Sequence, residues 1–306
     1  MLNRRNFFAT SSIAAGAVAL ACPAARNTPV DSPIRYCLNT STIRGQKLSV
    51  PDQIKVAAEA GYDAIEPWMR DLTAFVEAGG KLSDLRKQLA DSGLTVESAI
   101  GFAQWIVDDD VARKKGLEEA RRDMDTLKQI GGLRIAAPPI GAHKSAGPSL
   151  PVISERYRKL LEIGAEIGVV PQLELWGFSK TLSKLGELAY VAVEAGHENA
   201  CVLPDFYHIY KGGSDFGGLS MIEASKMKVF HMNDYPANPH RETIADKHRV
   251  YPGDGVCDLE GIIKNLIANG FEGCLSLELI NPDYWQQDAL TVAKTGLAKM
   301  KSVVDA

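Results

Sequence analysis

The sequence predicts an α/β chain folded as a (β/α)8 barrel, and three observations carry that expectation. From Ile34 onward, short β-like apolar runs alternate with longer stretches of helical period, eight times over. Eight such units fill about 275 residues, the size of one barrel of this kind. Glycines mark the returns: Ala60-Gly61-Tyr62-Asp63, Ile130-Gly131-Gly132 and Asn269-Gly270-Phe271-Glu272 place glycine where a helix would end and the next strand begin.

The elements follow in order. Strands are expected at Ile34 to Asn39, Ala64 to Trp68, Thr95 to Ile100, Arg134 to Ala137, Val170 to Leu175, Ala200 to Pro204, Lys228 to Met232 and Cys274 to Leu279. Each runs into polar or Gly/Pro-rich residues and then a helical pattern. The clearest helices span Val111 to Ile130, with Leu117, Ala120, Met124 and Leu127 on one face, and Glu155 to Ile167, with Tyr157, Leu160, Leu161 and Ile163. Asp108, Asp109 and Asp110 put negative charge where the first of these begins, as a cap would. The stretch Pro138 to Pro151 is long for a strand-to-helix loop and reads as a lid or an oligomer contact.

The 306 residues are 45% hydrophobic and 24% charged, which suits a packed globular chain and excludes a disordered one. A formal charge of −4 and a pI near 5.9 argue against a general grip on nucleic acid, which needs surplus Lys and Arg. Cysteines at 22, 37, 201, 257 and 274 show no paired spacing and read as small buried apolar residues. The first 26 residues hold Arg4, Arg5 and Arg26, no acid, and an apolar run from Ile13 to Ala21. That is the layout of an export signal, too short to anchor in a bilayer. Arg4-Arg5-Asn6-Phe7-Phe8 resembles the twin-arginine signal, so the export machinery that reads it is an expected partner and the periplasm the expected destination. Ala19-Leu20-Ala21 fits cleavage, while Cys22 also allows a lipid anchor. Residues 1–30 are thus expected to be signal and tether, and 31–306 a single barrel domain.

Barrels of this kind carry their chemistry on loops after the strand C-termini. The last four expected strands each end in a metal-competent side chain: Glu174, Asp205, His231 and Glu278. One ligand from each of four adjacent strands converges on one point. Three carboxylates and an imidazole form a hard, oxygen-rich set, favouring Mn²⁺ or Mg²⁺, with Zn²⁺, Co²⁺ or Fe²⁺ also compatible. Trp105 and Trp176 fall at strand ends where the apolar face of a sugar could rest, while Trp68 and Trp285 read as core or pocket wall. His143, on the fourth strand-to-helix loop, and Asn39, at the end of the first strand, are further candidates for substrate contact.

Three segments add a resemblance: His231-Met-Asn-Asp234, Asp246-Lys-His-Arg249-Val-Tyr-Pro252-Gly253-Asp254-Gly255, and Leu277-Glu278-Leu279-Ile-Asn281-Pro282-Asp283-Tyr284. With them the chain from Ile34 onward resembles the xylose-isomerase-like TIM barrels, the sugar phosphate isomerase/epimerase group, and within it most resembles the inosose isomerases. The resemblance implies one divalent cation on Glu174, Asp205, His231 and Glu278. It implies that His208 and Arg249 contact substrate oxygens and stabilise charge developing on them, and it makes Glu66 an acidic strand-end residue that either lines the barrel rim or touches substrate. Glu174 and Glu278 would move the proton, with His208 as the alternative base. Lys180 stands where the ketose 3-epimerases of the group carry a second glutamate, which argues against that activity.

The expected reaction is isomerisation or epimerisation of a keto-sugar or keto-cyclitol by α-proton abstraction through a metal-stabilised enediolate. A lyase or hydratase acting on 3-keto-sugars or keto-glycosides would begin with the same step and then expel a β-substituent. A multi-zinc endonuclease is disfavoured, because only His208 and His231 of the six histidines lie at ligand positions. A non-catalytic periplasmic sugar binder would have no use for the full ligand set.

Overall fold

The computed structural model describes residues 34–306, which fall within one compact unit. The export signal, its cleavage site, Cys22 and the tether expected before Ile34 lie outside the described residues. Eight parallel strands run β1 Arg35–Asn39, β2 Ala64–Glu66, β3 Thr95–Val96, β4 Arg134–Ala137, β5 Val170–Glu174, β6 Val202–Leu203, β7 Val229–Met232 and β8 Cys274–Leu277. The strands pair in two groups, β3-β2-β1-β8-β7 and β4-β5-β6. Two seams join them into a barrel. At one, Ala99 N donates to Arg134 O (3.1 Å) and Ala136 N to Ala99 O (2.8 Å). At the other, Asp205 bridges to His231, with His231 N donating to Pro204 O at 2.9 Å.

The structure bears out the predicted fold and trims several strands. β2 stops at Glu66 and β6 at Leu203, because Pro67 and Pro204 have no N–H to continue a ladder. β3 keeps two residues of the six expected. Beyond it the chain turns from β2 toward β4, and Ile100 meets Trp68 only as an isolated bridge. The helices are α1 Val50–Ala60, α2 Met69–Glu77, α3 Leu82–Asp91, α4 Asp110–Gln129, α5 Leu150–Ile167, α6 Leu185–Glu194, α7 Phe206–Gly212, α8 Leu259–Ala268 and α9 Ala289–Val304. α4 opens as expected, with the Asp109 side chain accepting from Ala112 N at 2.7 Å. α5 begins a turn earlier than expected, since Pro151 sits in its first turn, where a missing N–H costs nothing. The loop before α5 packs on the loop after β5: Lys180 N donates to His143 O and Gly147 N to Thr181 Oγ1, both at 2.9 Å.

Inside the barrel, side chains alternate with period two along each strand. Cys37, Ala64, Ala136, Leu203, Val229 and Cys274 form a buried apolar layer. One step farther along the same strands stand Asn39, Glu66, Asp205, His231 and Ser276, all buried. At the opposite end, Arg35 and Arg134 both bind Glu97.

On α4, burial raises the Asp123 carboxyl to about 7, with Glu119 adding and Arg122 opposing. The raised pKa belongs to the folded state, so its cost is absent below about pH 4, grows between about pH 4 and 7, and is fully present above about 7. Replacing Asp123 by Asn is expected to raise the thermal midpoint at pH 8 by roughly 2 °C, the shift that about 1 kcal/mol makes in a chain of this size. At pH 4 the two proteins should melt together in a calorimetric scan.

Candidate metal centre and pocket

Three of the four expected ligands converge. One ligand atom each from Asp205, His231 and Glu278 lies within 4.8 Å of the others, and all three residues are buried. His231 is the centre of the arrangement. Its Nε2 lies 3.1 Å from Glu66 Oε2 and 3.3 Å from Oε1, which assigns the ring proton to Nε2. Nδ1 then faces Glu278 Oε2 at 3.3 Å and Asp205 Oδ2 and Glu174 Oε1 at 3.7 Å. This buried Nδ1 has no hydrogen-bond partner.

An unpartnered imidazole nitrogen facing carboxylate oxygens, its other nitrogen held by a carboxylate, is what a divalent cation requires. The residues therefore fit the expected metal. Glu174 stands beside the three-residue group, on the pocket wall. Its Oε1 is as far from His231 Nδ1 as Asp205 Oδ2 is, and in register Glu174 lies two residues short of the level shared by Asp205, His231 and Ser276, while Glu278 lies two residues beyond it.

The carboxylates are held from behind. Asp205 caps α7 through Oδ1, which accepts from His208 N at 2.7 Å, and its Oδ2 accepts from Asn233 Nδ2 at 3.0 Å. Asn39 Nδ2 reaches Glu66 Oε2 (2.9 Å) and Glu278 Oε1 (3.3 Å), and Ser276 Oγ donates to Glu66 Oε2 at 2.7 Å. Arg249, only 1% exposed, spans the group: Nη1 donates to Asp205 Oδ2 at 2.9 Å and Glu278 Oε2 at 2.7 Å. Its Nη2 donates to Asp246 Oδ1 (2.7 Å) and His208 Nε2 (3.0 Å).

These contacts pull the two glutamates apart electrostatically. Burial pushes Glu174 up to about 8, with His231 opposing and Glu278, Asp205 and Glu66 adding. Burial also raises Glu278, but His231 and Arg249 outweigh it and hold that carboxyl well below the ordinary range. His231 is raised despite its burial, by Glu278 and Glu66. His208 is lowered, chiefly by burial, and stays neutral.

Above the centre lies a cavity of about 150 Å³. Glu174, His208, Asp246, Arg249 and Glu278 supply its polar lining, and Trp68, Phe102, Trp176 and Phe178 its aromatic wall. The loop bearing Trp176 and Phe178, whose rings stack at 5.3 Å, lies close against α7. A Cβ on Gly177 would come within 2.3 Å of His208 O, so only glycine permits that approach.

Several expected contacts are placed elsewhere. Glu66 touches no pocket space; it is fully buried beneath His231 and orients that ring. Trp105 is in the core, 1% exposed, donating to Pro138 O at 3.0 Å and packing on Tyr157, because the chain after the shortened β3 folds back before reaching the rim. His143 stands edge-on behind Trp176 at 5.5 Å, outside the cavity lining. Sequence reasoning passed over Asn233, Phe178 and Asp246. The signals were present: Asn233 is two residues past His231 and so shares its side of the strand, and Asp246 is one helical turn before Arg249.

Comparison with known proteins agrees with this geometry. A family model described as xylose isomerase-like TIM barrel matches residues 54–303. An inosose isomerase of Halalkalibacterium halodurans is 26% identical over 86% of this chain and 93% of its own. A 3-dehydro-D-guloside 4-epimerase of Escherichia coli is 24% identical over 75% of this chain and 87% of its own. A 3-dehydroshikimate dehydratase of Pseudomonas aeruginosa is 24% identical over 82% of this chain but only 39% of its own. Among solved structures, the IOLI protein with a bound zinc atom superposes with a TM-score of 0.82 at 21% identity, covering 89% of this chain and 98% of that one.

Replacing Glu66 by Gln should weaken Mn²⁺ binding about tenfold or more, because a carboxylate behind a metal-binding histidine sets both its orientation and its basicity. Calorimetric titration of the two proteins measures this, and equal affinities would remove Glu66 from the role.

Proposed function

Because the chain belongs to the xylose isomerase-like TIM barrel family, we propose that it is a divalent-metal-dependent isomerase or epimerase that relocates the α-proton of a keto-sugar or keto-cyclitol. The observation that carries this reading is the convergence of Asp205, His231 and Glu278 on one point beneath a cavity whose wall bears Glu174. A divalent cation on those three residues, with Glu174 as a fourth donor, supplies Lewis acidity toward a substrate carbonyl, and the oxygen-rich set suits Mn²⁺ or Mg²⁺.

The chain's own residues divide the remaining work. Glu174 and Glu278 form the proton-transfer pair, one accepting the α-proton and the other returning a proton to a different face or carbon. Arg249 is pinned by Asp205, Glu278 and Asp246 and turns a fixed positive charge toward the cavity, where it opposes negative charge developing on a substrate oxygen. His208, kept neutral and bonded to Arg249, is the neighbouring polar contact for that oxygen. The aromatic wall of Trp68, Phe102, Trp176 and Phe178 excludes water and offers Trp176 as a resting face for the ring.

Elimination is the second reading, favoured by the similarity to a 3-dehydroshikimate dehydratase. The same proton removal would then be followed by loss of a β-hydroxyl or aglycone. The signal at Arg4 to Phe8 extends the proposal to place: export through the twin-arginine route, with the barrel acting in the periplasm on substrates that carry no phosphate.

Proton NMR in D₂O tests the reading. With Mn²⁺-loaded protein and an inosose, a ketose or a 3-keto-glycoside, the α-hydrogen signal of at least one substrate should disappear. Replacing Glu174 by Gln should slow that exchange by about 10²- to 10⁴-fold. No exchange with any of the three by a metal-loaded protein contradicts the proposal. Unchanged product mass after exchange in H₂O marks isomerisation, and loss of water or aglycone marks elimination.

A further inference from the structure

The outer face of the pocket carries a charge that the proton chemistry does not use. Arg44 lies in the turn after β1 with its guanidinium carbon 4.9 Å from the centre of the Trp68 ring and 4.7 Å from that of Trp285. Trp68 lines the cavity, so the guanidinium stacked on it lies one indole ring away from the lining without belonging to it. Both indoles are fixed. Trp68 Nε1 donates to Asn39 Oδ1 at 3.1 Å, and Trp285 Nε1 donates to Ser41 O at 3.0 Å. Gly45 makes room for the arrangement, since a Cβ there would fall 2.0 Å from Trp285 Cβ.

The Arg44 guanidinium has no hydrogen bond or ion pair among the described residues, although the residue is partly buried. A second cation crowds it. Arg70 lies 4.5 Å from the same Trp68 ring, and its own carboxylate partner is Asp71, at 3.1 Å. Two guanidinium groups share one indole, and among the described residues the carboxylate in contact with them, Asp71, pairs with Arg70, so the Arg44 charge has no direct partner. Two aromatic faces hold a guanidinium without consuming its donors, so its planar fork stays available to a two-oxygen anion.

We propose that Arg44, braced by Trp68 and Trp285 and assisted by Arg70, binds a carboxylate on the substrate, so that this site takes acidic keto-sugars or keto-cyclitols in preference to neutral ones. The inference rests on the proposed function for the position of the reacting carbonyl, and deepens it by naming the substrate class. For a carboxylate to reach Arg44 the substrate must pass the Trp68 edge of the cavity, with its reacting end toward Glu278 and Glu174 on the same lining. The lowering of the Arg44 pKa by burial and by Arg70, opposed by Glu278 and Asp71, agrees with a cation that gains from an added anion.

Calorimetry on the full Mn²⁺-loaded chain tests it with two probes, a polyhydroxylated cyclohexanone bearing a ring carboxylate and the methyl ester of the same compound. The native protein should bind the acid about tenfold more tightly than the ester, the factor that one charge-assisted pair of about 1.4 kcal/mol provides. Arg44→Met should abolish that preference while leaving ester affinity within about twofold, and Arg44→Lys should restore part of it. If Arg44→Met fails to fold, Arg44→Lys decides: a reduced preference supports the assignment, and an unchanged one overturns it. Equal affinity for acid and ester in the native protein, including no binding of either, also overturns it. Solvent deuterium exchange on the ester is read separately. Exchange without acid preference removes the anion site and spares the reaction, and acid preference without exchange does the reverse.

Discussion

A closed ring of eight parallel strands admits every second side chain to its interior, and that alternation is the constraint from which the rest of the structure follows. Cys37, Ala64, Leu203, Val229 and Cys274 fill one layer with small or aliphatic groups. The next inward positions on those strands are therefore Asn39, Glu66, Asp205, His231 and Ser276, with no freedom to turn outward. His231 joins the two sides of this layer, bonded to Glu66 through one nitrogen and facing Asp205 and Glu278 with the other. Glu66 lies on β2 and His231 on β7, neighbours only because β1 and β8 stand between them in a curved sheet.

Burying this many carboxyl groups is costly unless each has a partner. The fold answers with Arg249, which ties Asp205, Glu278 and Asp246 together from the long segment after β7, with Asn39, which donates to the other Glu278 oxygen, and with Asn233, which donates to the Asp205 oxygen that Arg249 also binds. The two glutamates nevertheless end in different states. Glu278 is held as a carboxylate by the cations beside it, whereas burial favours the protonated form of Glu174. Two acidic groups of opposite tendency on either side of one cavity give a proton somewhere to leave from and somewhere to arrive.

The barrel was legible because apolar runs and helical periods alternate along the whole chain from Ile34, and because glycines such as Gly61 and Gly270 mark the returns with positive φ. The ligands were legible for a related reason. A carboxylate or imidazole at the end of each of four successive short, mostly apolar strands points to a shared centre. What stayed hidden depended on register or on distant packing. Glu66 and His231 are 165 positions apart, and no local pattern sets a strand-end acid that orients a ring apart from one that meets substrate. Trp105 sits at an apparent strand end, yet β3 stops at Val96 and the chain carries the indole into the core.

The arrangement turns on whether His231 Nδ1 faces a cation. Anomalous scattering from crystals soaked in Mn²⁺ measures this directly. One strong peak is expected, bonded to His231 Nδ1 and to carboxylate oxygens of Asp205 and Glu278, with Glu66 still hydrogen-bonded to Nε2. No peak at that point, or a metal held elsewhere while His231 Nδ1 stays without a ligand, would contradict the assignment.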